Sequence, residues 1–171
     1  TFKLVPASGA LEEGIVDRWT TITCPARSGI LLLPNKYYPD NPTLAQPFYC
    51  WTHKYGYGHG PVQFLEALAE SCDTYFYLIG GGMPEDFEGL GLERLRTYAR
   101  AFGYGSPSGI DLPTEAPGMV PSEKWKRINY GERWTTGDTY NMTIGQGSVL
   151  ATPLQVVQAT AAVANGGTLY Q

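Results

Sequence analysis

The chain has 171 residues, 43% of them hydrophobic, enough to bury one sizeable core in a single domain or a large piece of one. A formal charge of −4 leaves no basic surface of the kind that holds phosphate backbones, which argues against nucleic acid as a partner. The longest apolar run, Gly29-Ile30-Leu31-Leu32-Leu33, falls far short of the ~20 residues that cross a bilayer, so any anchor or export signal is to be sought outside these residues.

Taken in chain order, the sequence begins with a helix-like start, Thr1-Phe2-Lys3-Leu4-Val5, in which a lysine stands among apolar neighbours. Trp19-Thr20-Thr21-Ile22-Thr23 is the clearest strand signal. From about residue 25 to 60, a stretch rich in Pro, Tyr and Asn shows no clear period and reads as a long surface excursion outside the core. From Pro61, placed as a first helical residue, Val62, Leu65, Leu68, Cys72, Phe76 and Ile79 recur every three or four positions. This is one helix or two joined at the middle, ended by Gly80-Gly81-Gly82. Leu92, Leu95, Ala99 and Phe102 repeat the spacing, with Gly103 as a stop. In Thr152-Pro153-Leu154-Gln155, Thr152 caps a helix, Pro153 fits its first turn and Gln155 completes a capping box. Leu154, Val157, Ala161 and Ala164 are its expected buried stripe, and Thr168-Leu169-Tyr170 suggests the start of another strand.

Two polar features stand out. Glu70-Ser71-Cys72-Asp73 puts a hydroxyl and a carboxylate inside an apolar segment, which is costly unless both have partners. One reading makes Ser71 and Asp73 a capping pair between two helices; the other makes them part of a site in which a hydroxyl relays a proton. The apolar side chains of Phe2, Leu4 and Val5 around Lys3 partly desolvate its amine, a setting in which lysine serves as a base. A surface lysine with a buried stem is the alternative.

The triplet Thr1-Phe2-Lys3 resembles the end of the Ser-x-x-Lys motif of penicillin-binding proteins. Phe48-Tyr49-Cys50-Trp51, Gly58-His59-Gly60, Ser71-Cys72-Asp73-Thr74-Tyr75-Phe76-Tyr77, Gly109-Ile110-Asp111-Leu112-Pro113 and Ile144-Gly145-Gln146-Gly147, followed by Ala151-Thr152-Pro153-Leu154-Gln155, stand in the order typical of class B, elongation-type members. The resemblance implies an α+β fold: residues 1–171 as a partial transpeptidase domain, mainly its helical part with a remnant of its antiparallel sheet. It implies a parent peptidoglycan D,D-transpeptidase that cross-links stem peptides through a serine acyl-enzyme, binds β-lactams and needs no cofactor. Such a parent sits on the extracytoplasmic face of the bacterial membrane, held by an N-terminal segment, and works with a membrane glycosyltransferase of the elongation machinery.

Carried over by motif, Lys3 activates the nucleophile, Ser71 passes the proton to the leaving group, and Asp73 falls where many relatives have Asn, which orients the substrate amide. An ionised Asp only accepts hydrogen bonds, so its role departs from that pattern. Counting back three residues from Lys3 puts the nucleophilic serine one position before Thr1, and no Lys-Thr-Gly occurs in the chain. Residues 1–171 alone are therefore expected to be inactive. The rivals are a noncatalytic peptide-binding or scaffold domain and a Cys/His hydrolase, for which no pattern sets a thiol beside a base.

Cys24 and Cys50 flank the irregular stretch, and for an extracytoplasmic domain a disulfide between them is the leading expectation, worth about 3 kcal/mol in the chain-entropy model. The alternatives are a metal site of Cys24, Cys50, His59 and Asp40 or His53, whose spacing fits no regular zinc pattern, and free thiols. Cys72 reads as a small buried hydrophobe and His59 as a loop-locking donor.

Overall fold

The computed structural model describes residues 2–111 and 113–170, so Thr1 of the opening triplet and Leu112 of the Gly109–Pro113 stretch lie outside it. In chain order the elements are α1 (Leu4–Glu12), β1 (Ile22–Cys24), β2 (Ile30–Leu33), β3 (Gln46–Tyr49), β4 (Gly60–Val62), α2 (Phe64–Ala69), α3 (Asp73–Gly81), α4 (Gly91–Ala101), α5 (Glu123–Tyr130), α6 (Thr136–Thr143) and α7 (Pro153–Ala164). The architecture is α+β: helices around one core, with two small antiparallel pairs, β1 with β4 and β2 with β3.

The organising element is α3. Apart from Leu78 and Gly81 its residues are all buried, as befits a helix apolar on every side. It packs against α6, α1, α4 and β1. Gly80 and Gly81 permit the close approach to α6, since a Cβ at Gly80 would overlap the Thr143 side chain and one at Gly81 the Tyr140 ring. Tyr140 in turn donates to the Gly82 carbonyl at 2.5 Å and stacks on Tyr77 at 5.3 Å between centroids.

Residues 25–60 are more ordered than their composition suggests. Leu31 and Leu33, alternate residues of β2, join Phe48 of β3 in a second apolar cluster with Tyr77 and Tyr140. The expected absence of a period is corrected by this hairpin: its strands have four residues each, too short for alternation to stand out beside the prolines. Short 3₁₀ turns at Pro42–Leu44 and Trp51–Tyr55 complete the stretch.

Other expectations shift for local reasons. The strand at 19–23 begins only at Ile22, because the Asp17 carboxylate accepts from the Trp19 N–H and the Thr20 hydroxyl and folds that segment into a turn. Pro61 lies in β4 opposite Thr23 rather than at a helix start. The periodic run from Val62 resolves into two helices, α2 and α3, joined at Ser71 and Cys72. Thr168–Tyr170 form no strand. The capping box of α7 is present, with Thr152 Oγ1 accepting from the Gln155 N–H at 3.2 Å and Gln155 Oε1 from the Thr152 N–H at 3.1 Å. Its buried face is Gln155, Ala159 and Ala162, not the stripe through Val157, because this helix is apolar on more than one side and Gln155 is drawn inward by the carbonyls of Ser106 and Pro117. No helix among the described residues is long and apolar enough to cross a membrane.

Candidate active site

Lys3, at the N-cap of α1, is carried inward by Val5, Ala7 and Ala10, which bury one face of that helix against α3 and α4. Phe2 anchors the entry: its ring packs edge-on against Tyr104 at 5.1 Å, and it occupies space that a side chain at Gly145 would take. The turn Gly145-Gln146-Gly147, with positive φ at both glycines, can therefore lie beside the lysine. Lys3 is only 9% exposed, and its amine sits 5.2 Å from the centre of the Phe76 ring.

The apolar setting is compatible with an ammonium because all three of its N–H groups find acceptors. They go to the Ser71 carbonyl at 2.7 Å, the Ser71 Oγ at 2.7 Å and Asp73 Oδ1 at 2.5 Å. Asp73 is the first residue of α3 and its side chain is 12% exposed; its other oxygen, Oδ2, accepts from the Trp51 backbone N–H at 2.8 Å. Both carboxylate oxygens are thus engaged within the protein, and Asp73 serves as the counter-ion of Lys3. The structure brings together the three residues that the sequence singled out, in an open cleft of about 360 Å³ closed by Trp51, Ile144 and Gln146. Cys72, not Asp73, is the N-cap of α3, so the capping-pair reading does not describe Ser71 and Asp73.

Directly behind this cleft lies a second constellation. The sulfurs of Cys24, Cys50 and Cys72 and a ring nitrogen of His59 all lie within 4.8 Å of one another. The pairing of β1 with β4 sets Cys24 beside Gly60, next to His59, and the α2–α3 junction supplies Cys72. The three cysteines are free thiols, so the Cys24–Cys50 disulfide is not formed here, and Cys72 is a member of the group rather than a mere filler. Asp40 is exposed and His53 turns its Nδ1 to the Ser28 carbonyl at 2.7 Å; neither belongs to it. His59 faces Cys50 through Nδ1 at 3.4 Å and the Glu70 carboxylate through Nε2 at 3.6 Å, the carboxylate–imidazole–donor order seen around bound metals. Sulfur-to-sulfur hydrogen bonding from Cys24 and then Cys72 pulls the Cys50 thiol far below its ordinary pKa, while hydrogen bonding from Cys24 and then Cys50, together with burial, pushes the Cys72 thiol up. Three thiols and one imidazole converging on a buried point form a donor set suited to tetrahedral zinc.

The model of the penicillin-binding protein transpeptidase domain matches residues 1–171. The chain belongs to the penicillin-binding protein transpeptidase family. It is 37% identical over 168 residues to the peptidoglycan D,D-transpeptidase MrdA of Acinetobacter baumannii, covering 98% of this chain and 22% of that protein. Among solved structures it superposes on Pseudomonas aeruginosa PBP2 in complex with WCK 5153 with a TM-score of 0.81 at 33% identity, over 98% of this chain and 33% of that one. It superposes on Helicobacter pylori PBP2 in complex with MreC with a TM-score of 0.77 at 34% identity, over 96% and 27% of the two chains. The chain thus spans 22% of the length of that curated relative.

For a penicillin-binding protein transpeptidase domain, the part of the site missed at the sequence level is the contribution of residues 25–60. Trp51 borders the cleft and bonds to Asp73, and Cys50 beside it belongs to the thiol group. That stretch, expected to be a surface excursion outside the core, forms one wall of the cleft. The adjacency of Cys50 and Trp51, and of Ser71 and Cys72, was the available signal.

Proposed function

We propose that these residues belong to a peptidoglycan D,D-transpeptidase that cross-links stem peptides through a serine acyl-enzyme. The observation that carries this reading is the Lys3 amine, held in a buried triangle of Ser71 carbonyl, Ser71 hydroxyl and Asp73 carboxylate beside an open cleft. In the proposed reaction the attacking serine occupies the position before Thr1 and gives its proton to Lys3 in its neutral amine form, with two N–H groups and a free lone pair. The ammonium with three donated N–H groups is the state that this transfer produces. Ser71 Oγ accepts from Lys3, which leaves the Ser71 hydrogen free to point into the cleft and pass to the leaving D-Ala amine. Asp73 holds the lysine charge and leaves the substrate amide to other groups. Splitting acyl transfer in this way needs a nucleophile, a base and an oxyanion site; Lys3 and Ser71 supply the base and the relay.

The same reading assigns β-lactams as acylating ligands, a membrane glycosyltransferase and further elongation proteins as partners, and the extracytoplasmic face of the membrane, with an N-terminal anchor, as location. The MrdA name of one relative and the complexes of others with MreC and WCK 5153 support it. We also assign Cys24, Cys50, His59 and Cys72 as ligands of a zinc ion, with Glu70 orienting His59. When bound there, zinc supplies a structural cross-link between β1, the Trp51 turn and the α2–α3 junction.

Fluorescent penicillin and intact-mass measurement test the proposal on residues 1–171 and on a longer protein carrying both flanking segments. The longer protein is expected to take up one equivalent and residues 1–171 none, since loss of one member of such a unit costs several orders of magnitude in rate. A longer protein that takes up none is a scaffold, not an enzyme.

A further inference from the structure

Ser71 closes α2 with the bonds of a Schellman turn: the Cys72 N–H reaches the Ala67 carbonyl at 2.9 Å and the Ser71 N–H the Leu68 carbonyl at 3.3 Å. The residue in this turn position is left-handed and is usually glycine, yet here it is serine at φ +56°. A side chain stays in that conformation only where its surroundings hold it. Lys3 bonds to Ser71 itself, through its carbonyl and hydroxyl. Glu70, just before it, and Asp73, two residues after, are both bonded by Trp51. Its indole N–H donates to the Glu70 carbonyl at 3.0 Å, and its backbone N–H donates to Asp73 Oδ2 at 2.8 Å. Trp51 thus straddles the turn, bonded one residue before Ser71 and two after it. Its ring is itself fixed, edge-on to Tyr55 at 6.2 Å and to His59 at 5.8 Å between centroids.

We propose that Trp51 is a positioning residue for the proton relay: its indole N–H, on the Glu70 carbonyl, fixes the left-handed turn that aims the Ser71 hydroxyl at the Lys3 amine. This rests on the transpeptidase reading above. Trp51 is 43% exposed and also borders the cleft, so a contact with substrate has to be separated from the bond to Glu70. Trp51→Phe and Trp51→Tyr do so, because each keeps an aromatic wall and the backbone bond to Asp73 while removing the indole donor.

The test is a double-mutant cycle in the longer protein, with Trp51→Phe made in the Ser71 background and in the Ser71→Ala background, and with penicillin acylation resolved into a binding constant and a rate constant. In the Ser71 background the acylation rate constant is expected to fall by about tenfold, the effect of one lost hydrogen bond, with the binding constant unchanged. In the Ser71→Ala background Trp51→Phe is expected to change nothing further. Equal losses in both backgrounds, a loss confined to binding, or no loss overturns the proposal. Amide exchange gives a readout independent of acylation: the Cys72 N–H is expected to exchange faster in both Trp51 variants, with the melting temperature close to wild type. If the wild-type protein is never acylated the transpeptidase reading fails, and unchanged Cys72 exchange then overturns the positioning role as well.

Discussion

Asp73 takes the Lys3 amine on one carboxylate oxygen and the Trp51 backbone N–H on the other, with both members of the ion pair almost out of solvent. Breaking a buried pair by removing one partner is far more damaging than its net worth, because the remaining charge is left desolvated. Asp73→Ala is therefore expected to lower stability by about 3 kcal/mol in denaturant titration, whereas Asp73→Asn, which keeps the shape and an acceptor for Lys3, should lose about 1 kcal/mol. Equal losses for the two would show that the carboxylate charge, which both variants remove, and not an acceptor alone, is what Lys3 requires. Lys3, Ser71 and Asp73 were legible in the sequence because a polar residue inside an apolar run must find a partner. Trp51 was not, because an aromatic residue in a stretch without periodicity gives no hint of where its N–H groups go, and its acceptors lie 19 and 22 positions away. Cys72 was hidden differently: its place on a helical stripe fits a small hydrophobe as well as it fits a ligand.

Between elements, the decisive contact is α3 on α6, and it depends on the absence of side chains at Gly80 and Gly81. Gly80→Ala drives a methyl group into Thr143, which is wholly buried and donates to the Thr139 carbonyl at 2.7 Å, so the helices must separate. Overpacking of this kind costs about 1–3 kcal/mol, against the gain in helix propensity that alanine brings at an open site. Thermal unfolding of Gly80→Ala should show a clear loss; a rise in melting temperature would mean that α6 yields freely. The helices with caps or glycine stops, α4 and α7, were readable in outline from their periodicity. By contrast, α5 and α6 were not read at all: α5 buries no residue, and α6 is a mostly polar segment buried by tertiary packing rather than by a stripe of its own. The β2–β3 hairpin and β4 escaped for a related reason, since strands of three or four residues carry too few alternations to form a pattern, whereas β1 overlaps the strand read at residues 19–23.

At the scale of the molecule, the cleft is assembled from α1, the Trp51 turn and the α2–α3 junction, and the thiol–imidazole group sits where the last two meet β1. Protein prepared without chelator is expected to carry one zinc ion per chain. A metal present at 100 times its dissociation constant adds about 2.7 kcal/mol, so chelation should lower the melting temperature by roughly 5–10 °C. A metal-free protein whose mass under non-reducing conditions is two hydrogens lighter would instead point to a disulfide within the cluster. The central claim, that Lys3 and Ser71 serve a serine outside the described residues, is tested most directly by mapping the penicillin adduct in the longer protein after proteolysis. The expected result is a single modified residue, the serine immediately before Thr1, with the adduct lost in Lys3→Ala. An adduct on Ser71, or undiminished labelling of Lys3→Ala, would contradict the account.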